Sequence, residues 1–272
     1  STDGILALST PPSPSERFIR SSLLPNLCKA VAKNERYYGD FAIFETAQVF
    51  HDTDYTTPYD PREKLPSQRK NVAGAFVSAG KDVAALFRKA KGVVEMMPRY
   101  THMERYDFRQ VEKPVWADEV VWLNIYLGEE RIGDLALLSK RVSMACGIKN
   151  VNVMLFQLDQ DALVPLRSRT NTFTHLAEYP MTDYDISLLL DGEVKWADVA
   201  ETIEGVKNPL LHGASFVDEY RGKQVPAGKK SLTARLTIGS TEKTLTSAEI
   251  EEVANSVLKK LSKRFGAELR SR

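Results

Sequence analysis

Residues 210–239 read LLHGASFVDEYRGKQVPAGKKSLTARLTIG, and they decide the fold of the last third of the chain. Two extended runs, 210–222 and 229–239, flank a turn-rich centre holding Pro226 and Gly228, so they are expected to be successive strands. Upstream, DYDISLLLD (183–191) alternates with Ile186, Leu188 and Leu190 on one side and reads as another strand. Between them, WADVAETIEGV (196–206) sets Trp196, Val199, Ile203 and Val206 along one helical face. Downstream, Thr246 with Glu249 three residues on makes a capping box ahead of a stripe of Ile250, Val253, Ala254, Val257, Leu258 and Leu261. Gly266 suits the stop of that helix, and Lys259, Lys260, Lys263 and Arg264 lie toward its negative dipole end. AELR (267–270) is a last short strand. The order β-α-β-β-α-β is that of a ferredoxin-like sandwich, with two helices on one sheet face and the other face open.

Strict alternation then assigns the open face. Ser231, Thr233, Arg235 and Thr237 point away from Leu232, Ala234, Leu236 and Ile238. Phe216, Asp218 and Tyr220 share a side opposite Val217, and Asp185, Ser187 and Leu189 face outward from the first strand. Unpaired RNA bases stack on such aromatics and bond to such polar groups. A neighbouring protein domain would cover the same patch equally well. From the residues alone both readings stand.

The first half reads as an antiparallel sheet with a few helices, because no strand–helix–strand cadence appears. RFIRSSLLPNLCKAVAKNERYYGDF (17–41) is expected to be a helix, with Pro25 in its first turn and Gly39 at its stop. FAIFETAQVF (41–50), NVAGAFVSA (71–79) and VNVMLFQLD (151–159) are strands, and the polar stretch 52–70 is a loop. DVAALFRKAKGVVEMM (82–97) is a helix, and a shorter one falls around 139–146. EVVWLNIYLGEERIGDLALLS (119–139) is a hairpin whose turn is bracketed by Gly128 and Gly133. Residues 165–176 are polar and aperiodic. The expected organisation is α+β: a first module over 1–168, a linker over 169–176 and the ferredoxin-like domain over 177–272.

Composition limits the function. The chain has 272 residues, is 43% hydrophobic and 27% charged, and has a net charge of +1, so it does not coat polyanions without discrimination. The neutrality is a sum of opposed blocks. Residues 178–219 hold ten acids against Lys195 and Lys207, while 221–272 hold twelve bases against five acids. That basic block is expected to flank the open face. Cys28 and Cys146 cannot form a disulfide framework and read as reduced thiols of a cytoplasmic protein. No apolar run reaches the roughly 20 residues of a membrane helix, and no membrane or DNA partner is expected. The first residues lack a basic leader, and the start without Met suits a segment cut from a longer chain. His51, His102, His175 and His212 are isolated, so no metal site is expected; no glycine-rich phosphate loop occurs, and Glu45 reads as a local ion-pair partner. No catalytic constellation emerges, and the residues describe a binding module.

Longer motifs carry a resemblance. FVDEYRGKQVPAGKKSLTARLTI (216–238), TEKTLTSAEI (241–250) and RFGAELR (264–270) resemble the ferredoxin-fold anticodon-binding domain of phenylalanyl-tRNA synthetases. IRSSLLPNLCKAVAKN (19–34), FAIFETAQVF, LGEERIGDLALLS (127–139) and VMLFQLDQDALVPL (153–166) resemble the catalytic-like module of the bacterial β subunit. The resemblance implies a class II synthetase-like sheet without catalytic residues; FETAQVF stands where a catalytic homologue would carry Arg-x-Glu. It implies a heterotetramer of two α and two β subunits that attaches phenylalanine to tRNA, with ATP and Mg2+ used on the α subunit and no cofactor on this chain. The implied partners are tRNAPhe and the α subunit. The implied anticodon contacts fall on Ser187, Asp218, Tyr220, Ser231 and Arg270, with Phe216, Arg221 and Arg235 as supporting contacts. Tyr184 stands where the family has a basic residue, and the L-H-P-x-R signature is absent. The chain is therefore expected to be a C-terminal segment of the β subunit, inert by itself. The alternative is a non-catalytic assembly scaffold with little RNA contact; a single-chain organellar-type synthetase is disfavoured, since residues 1–170 lack the catalytic motifs.

Overall fold

The structure is a computed structural model that describes residues 5–13, 16–51, 66–164 and 179–270. The chain divides into two compact units, Ser1–Asn171 and Thr172–Arg272. The expected linker falls outside the described residues.

In the first unit the elements run α1 (Leu24–Asn34), β1 (Asp40–His51), β2 (Ser67–Ser78), α2 (Val83–Tyr100), β3 (Asp107–Arg109), β4 (Ala117–Leu127), β5 (Glu130–Leu138), α3 (Lys140–Ala145) and β6 (Asn152–Asp159). The six strands form one sheet in the order β1-β2-β6-β5-β4-β3, and every pairing is antiparallel. One group of buried residues gathers Leu23 and, from α1, Leu27 and Val31 with Val77, Val153 and Leu155; another gathers Leu86, Ala90 and Val94 of α2 with Ile125, Leu135, Met154 and Phe156. Alternation along each strand sends successive residues to these two cores.

Three details depart from the sequence reading. The helix expected over 17–41 is shorter at both ends: it runs Leu24–Asn34, with Pro25 in its first turn, and Gly39 lies beyond its end, next to β1. Ahead of it the chain is extended: Ile19 N–H donates to the Leu6 carbonyl and Phe50 N–H to the Arg20 carbonyl, both at 2.9 Å. Second, Ser67–Lys70, expected in the loop over 52–70, belong to β2; residues 52–65 of that stretch lie outside the described residues. Third, Gly133 does not bracket a turn. The hairpin turn is Gly128 and Glu129, with Gly128 at φ +61, while Gly133 lies inside β5 opposite Leu158.

The second unit runs β7 (Thr182–Asp191), α4 (Trp196–Glu204), β8 (Leu211–Tyr220), β9 (Lys229–Ile238), α5 (Ser247–Phe265) and β10 (Glu268–Leu269). The sheet order β10-β7-β9-β8 is the fourth-first-third-second order of the ferredoxin-like sandwich. Val199 and Ile203 of α4 and Val253, Val257 and Leu261 of α5 close over Ile186, Leu188, Leu232, Leu236 and Ile238. The α5 start is built as the sequence indicates: the Thr246 hydroxyl accepts from Glu249 N–H, and the Glu249 carboxylate accepts from Thr246 N–H at 2.8 Å. A hydrogen bond from Lys243, then those from Thr246, hold the Glu249 carboxyl down at about 2, from an ordinary 4.5. Because the folded-state value is depressed, its stabilisation is complete above the unfolded value and is lost as pH falls toward about 2. Thermal melts from about pH 6 to about pH 2 are expected to decline less steeply in Glu249→Gln than in the wild type; parallel declines would show that this cap does not govern acid stability.

Candidate nucleic-acid interface

The open face is organised in rows across the strands. In one row Arg270, just past β10, donates its backbone N–H to the Ser187 carbonyl at 2.9 Å, Ser187 is paired with Thr233, and Thr233 with Asp218. The next row aligns Glu268, Leu189, Ser231 and Tyr220. A third aligns Asp185, Arg235 and Ser215. Paired residues share a face, so the structure brings Ser187, Asp218, Tyr220, Ser231 and Arg270 onto one surface.

Phe216 is not on it. The register slips between Phe216, opposite Ala234, and Asp218, opposite Thr233, leaving Val217 as an extra residue. This β-bulge turns the strand over by one position. Phe216 consequently faces the helical layer, where its ring meets Trp196 edge-on at a centroid distance of 5.8 Å. The strict alternation expected for residues 214–220 is corrected: Asp218 and Tyr220 share the open face, and Phe216 lies opposite.

Among the described residues of these strands, Tyr220 carries the one aromatic ring on the open face. It lies against Gly222, where a Cβ would come within 2.4 Å of the phenol oxygen. The Arg270 guanidinium stands 5.6 Å from the ring centroid and donates to the Gln224 side-chain oxygen at 3.0 Å. Gln224 was not singled out in the sequence, and nothing local marks it; only the reach of Arg270 brings it in. The Ser187 and Thr233 hydroxyls are 3.0 Å apart. Ser231 is buried at 3% exposure, leaving little of it for a ligand. Asp218 is exposed, and among the described residues its carboxylate has no hydrogen bond or ion pair, so both oxygens are available as acceptors.

The cations near this face are largely engaged. Arg235 meets Asp185 in a two-pronged bond, Nε–Oδ1 2.7 Å and Nη2–Oδ2 2.9 Å, with Asp183 Oδ2 4.0 Å from its Nη1. Arg235 holds the Asp185 carboxyl below its ordinary value, mainly through that hydrogen bond. Arg221 pairs with Glu219 at 2.9 Å and donates to the Gly192 carbonyl at 2.8 Å. Only part of the basic block flanks the open face as expected: Arg235 and Arg270 stand on it, and the α5 bases do not. Lys259, Lys260, Lys263 and Arg264 are on α5, which covers the other side of the sheet, and there Arg264 pairs with Glu201 at 2.9 Å. A charge count along the chain cannot tell one layer of a sandwich from the other.

In the first unit Arg20 Nη1 holds Glu45 Oε1 at 2.9 Å, the local ion pair expected for that acid. Cys28 and Cys146, distant in sequence, are neighbours in space and both free. Burial first, then the adjacent Cys146, pushes the Cys28 thiol up to about 12, so it stays protonated and is a poor nucleophile. Among the described residues no three His, Cys, Asp or Glu gather as a metal site, and no helix is long and apolar enough to cross a membrane. His175 lies outside the described residues.

A ferredoxin-like sandwich presenting an aromatic, hydroxyls and a free carboxylate defines the class: residues 177–270 match the family model of the ferredoxin-fold anticodon binding domain. Residues 2–160 match the phenylalanyl tRNA synthetase beta chain CLM domain. The chain belongs to the phenylalanyl-tRNA synthetase beta chain family. It is 28% identical over 275 residues to the phenylalanine–tRNA ligase beta subunit of Oceanobacillus iheyensis, covering 98% of this chain and 33% of that protein. The beta subunit of Carboxydothermus hydrogenoformans is also 28% identical over 275 residues, with the same coverage. That of a Synechococcus strain is 29% identical over 283 residues, again 98% and 33%. The chain thus spans about a third of the length of the curated relatives it matches.

Proposed function

We propose that this chain is the C-terminal portion of a phenylalanine–tRNA ligase β subunit, and that its second unit grips the anticodon region of tRNAPhe while its first docks on the catalytic α subunit. ATP and Mg2+ would be used on the α subunit, in the cytoplasm, and this chain would hold no cofactor of its own. The observation that carries the reading is the open-face constellation of Tyr220, the unpartnered Asp218 carboxylate, Ser187 and Arg270. The phenol ring is a stacking platform, Asp218 accepts from base N–H groups, and the hydroxyls bond to base or ribose. Docking of the first unit is supported by Tyr37, Tyr38 and Phe44, which are 66%, 60% and 80% exposed at and beside β1.

The electrostatics sharpen the test. With Arg235 committed to Asp185, the cations left near the face among the described residues are Arg270, Lys223 of the loop after β8 and Lys229 at the start of β9. Each phosphate contact to single-stranded RNA contributes about 0.7 to the salt slope, so the slope of log K against log salt is expected to be no steeper than about −2. Fluorescence titration of the tRNAPhe anticodon hairpin over a salt series measures it. Asp218→Ala is expected to weaken binding by about tenfold without changing that slope, since a carboxylate contacts bases and not phosphates. Binding unaltered in both Asp218→Ala and Arg270→Ala would remove the assignment of this face and leave the scaffold reading.

A further inference from the structure

Asp218 and Tyr220 sit at the end of β8, a strand paired on one side only and broken by the Val217 bulge. Such an end frays unless something outside the ladder holds it. Glu219, between the two, points to the opposite side and binds two cations: Lys230 Nζ at 2.8 Å from Oε2 and Arg221 Nε at 2.9 Å from Oε1. Lys230 is buried, its side chain 4% exposed, whereas Arg221 is 57% exposed. From Arg221 the chain of bonds continues: its Nη2 donates to the Gly192 carbonyl at 2.8 Å, and Gly192 N–H donates to the Gly228 carbonyl at 2.8 Å. The turn after β7, the end of β8 and the start of β9 are thus tied at one corner. The two cations hold the Glu219 carboxyl below its ordinary value against the upward push of burial.

We propose that Lys230, Glu219 and Arg221 are positioning residues for the RNA-reading pair Asp218 and Tyr220, acting through the β8 backbone and touching no nucleic acid themselves. The inference rests on the open-face reading above and deepens it. Arg221 and Lys223 in the loop after β8, and Lys229 and Lys230 at the start of β9, lie close together in sequence, and by charge alone all four would pass for phosphate contacts. The geometry divides them: Arg221 and Lys230 bind Glu219, and Lys223 and Lys229 do not.

The salt slope separates the two roles. Arg221→Ala, at an exposed position that does not threaten the fold, is expected to weaken anticodon-hairpin binding about fivefold while leaving the slope of log K against log salt unchanged. Its effect is expected to shrink in a Tyr220→Ala background, because a ring that is absent needs no orientation. Lys230→Met, which keeps the buried stem and removes the charge, is expected to behave alike, with circular dichroism confirming that it is folded. A slope shallower by about 0.7 in Arg221→Ala, with effects that add to Tyr220→Ala, would make Arg221 a phosphate contact and overturn the proposal. Unchanged affinity in Arg221→Ala, alongside a weakened Tyr220→Ala, would overturn it while sparing the open-face reading. Failure of the wild-type chain to bind the hairpin would overturn both.

Discussion

Tyr220→Ala is expected to weaken binding of the tRNAPhe anticodon hairpin by about tenfold or more, the largest loss of any single change on the open face. Base–aromatic stacking is worth about 1–3 kcal/mol per base, and Tyr220 is the only ring that the β8 bulge leaves on this side. Its orientation is set in advance by Gly222, beside the phenol end of the ring, and by Arg270. The loss should therefore lie in contact energy with no change in salt slope, since a neutral ring neutralises no phosphate. Tyr220→Phe keeps the platform and is expected to bind within about threefold of wild type. Phe216→Ala is the internal comparison. Deleting that ring removes the contact with Trp196, so it should lower the melting temperature and leave hairpin affinity unchanged. Fluorescence titration of the three variants decides: if Phe216→Ala costs more affinity than Tyr220→Ala, the face has been assigned to the wrong side of β8.

That pair of residues also marks where sequence reasoning reached and where it stopped. The ferredoxin order, the α5 capping box and the stripe from Ile250 to Leu261 were legible because each is a local pattern with a fixed period. Ser187, Thr233 and Ser231 were placed correctly because β7 and β9 pair without a slip from Thr182 to Asp191. Phe216 was misplaced because a bulge is a property of a pair of strands: nothing within GASFVDEY announces that Val217 will face no partner. The C-terminal bases misled for a related reason. Lys259 to Arg264 are close in sequence to the open-face strands, but a helix between β9 and β10 must lie on the covered side. The N-terminal boundary of α1 failed because RFIR has the composition of a helix turn, while its backbone bonds are taken by Leu6 and by β1, which no local pattern reveals.

Gly133→Ala is expected to be the most damaging small substitution in the first unit, lowering stability by about 3 kcal/mol. β5 is an inner strand between β6 and β4, and a Cβ at Gly133 would lie 2.1 Å from the Gln157 carbonyl oxygen and 3.0 Å from Leu158 Cα. Both are backbone atoms of β6, so no rotamer change relieves the clash and the ladder itself must open. The same chemical change elsewhere gives a different result. At Gly128 nothing lies within 4 Å, but φ is +61, so alanine is strained by about 1 kcal/mol through conformation alone. At Gly92, inside α2, nothing lies within 4 Å and φ is helical, so alanine is expected to stabilise by about 0.5–1 kcal/mol. Thermal melts of the three variants should therefore rank Gly92→Ala above wild type, Gly128→Ala modestly below it and Gly133→Ala lowest, by about 6–12 °C. A Gly133→Ala protein that melts with Gly128→Ala would mean that β5 and β6 can separate cheaply at this point. Because the second unit has its own core and sheet, Gly133→Ala assayed below its transition should still bind the anticodon hairpin with wild-type affinity.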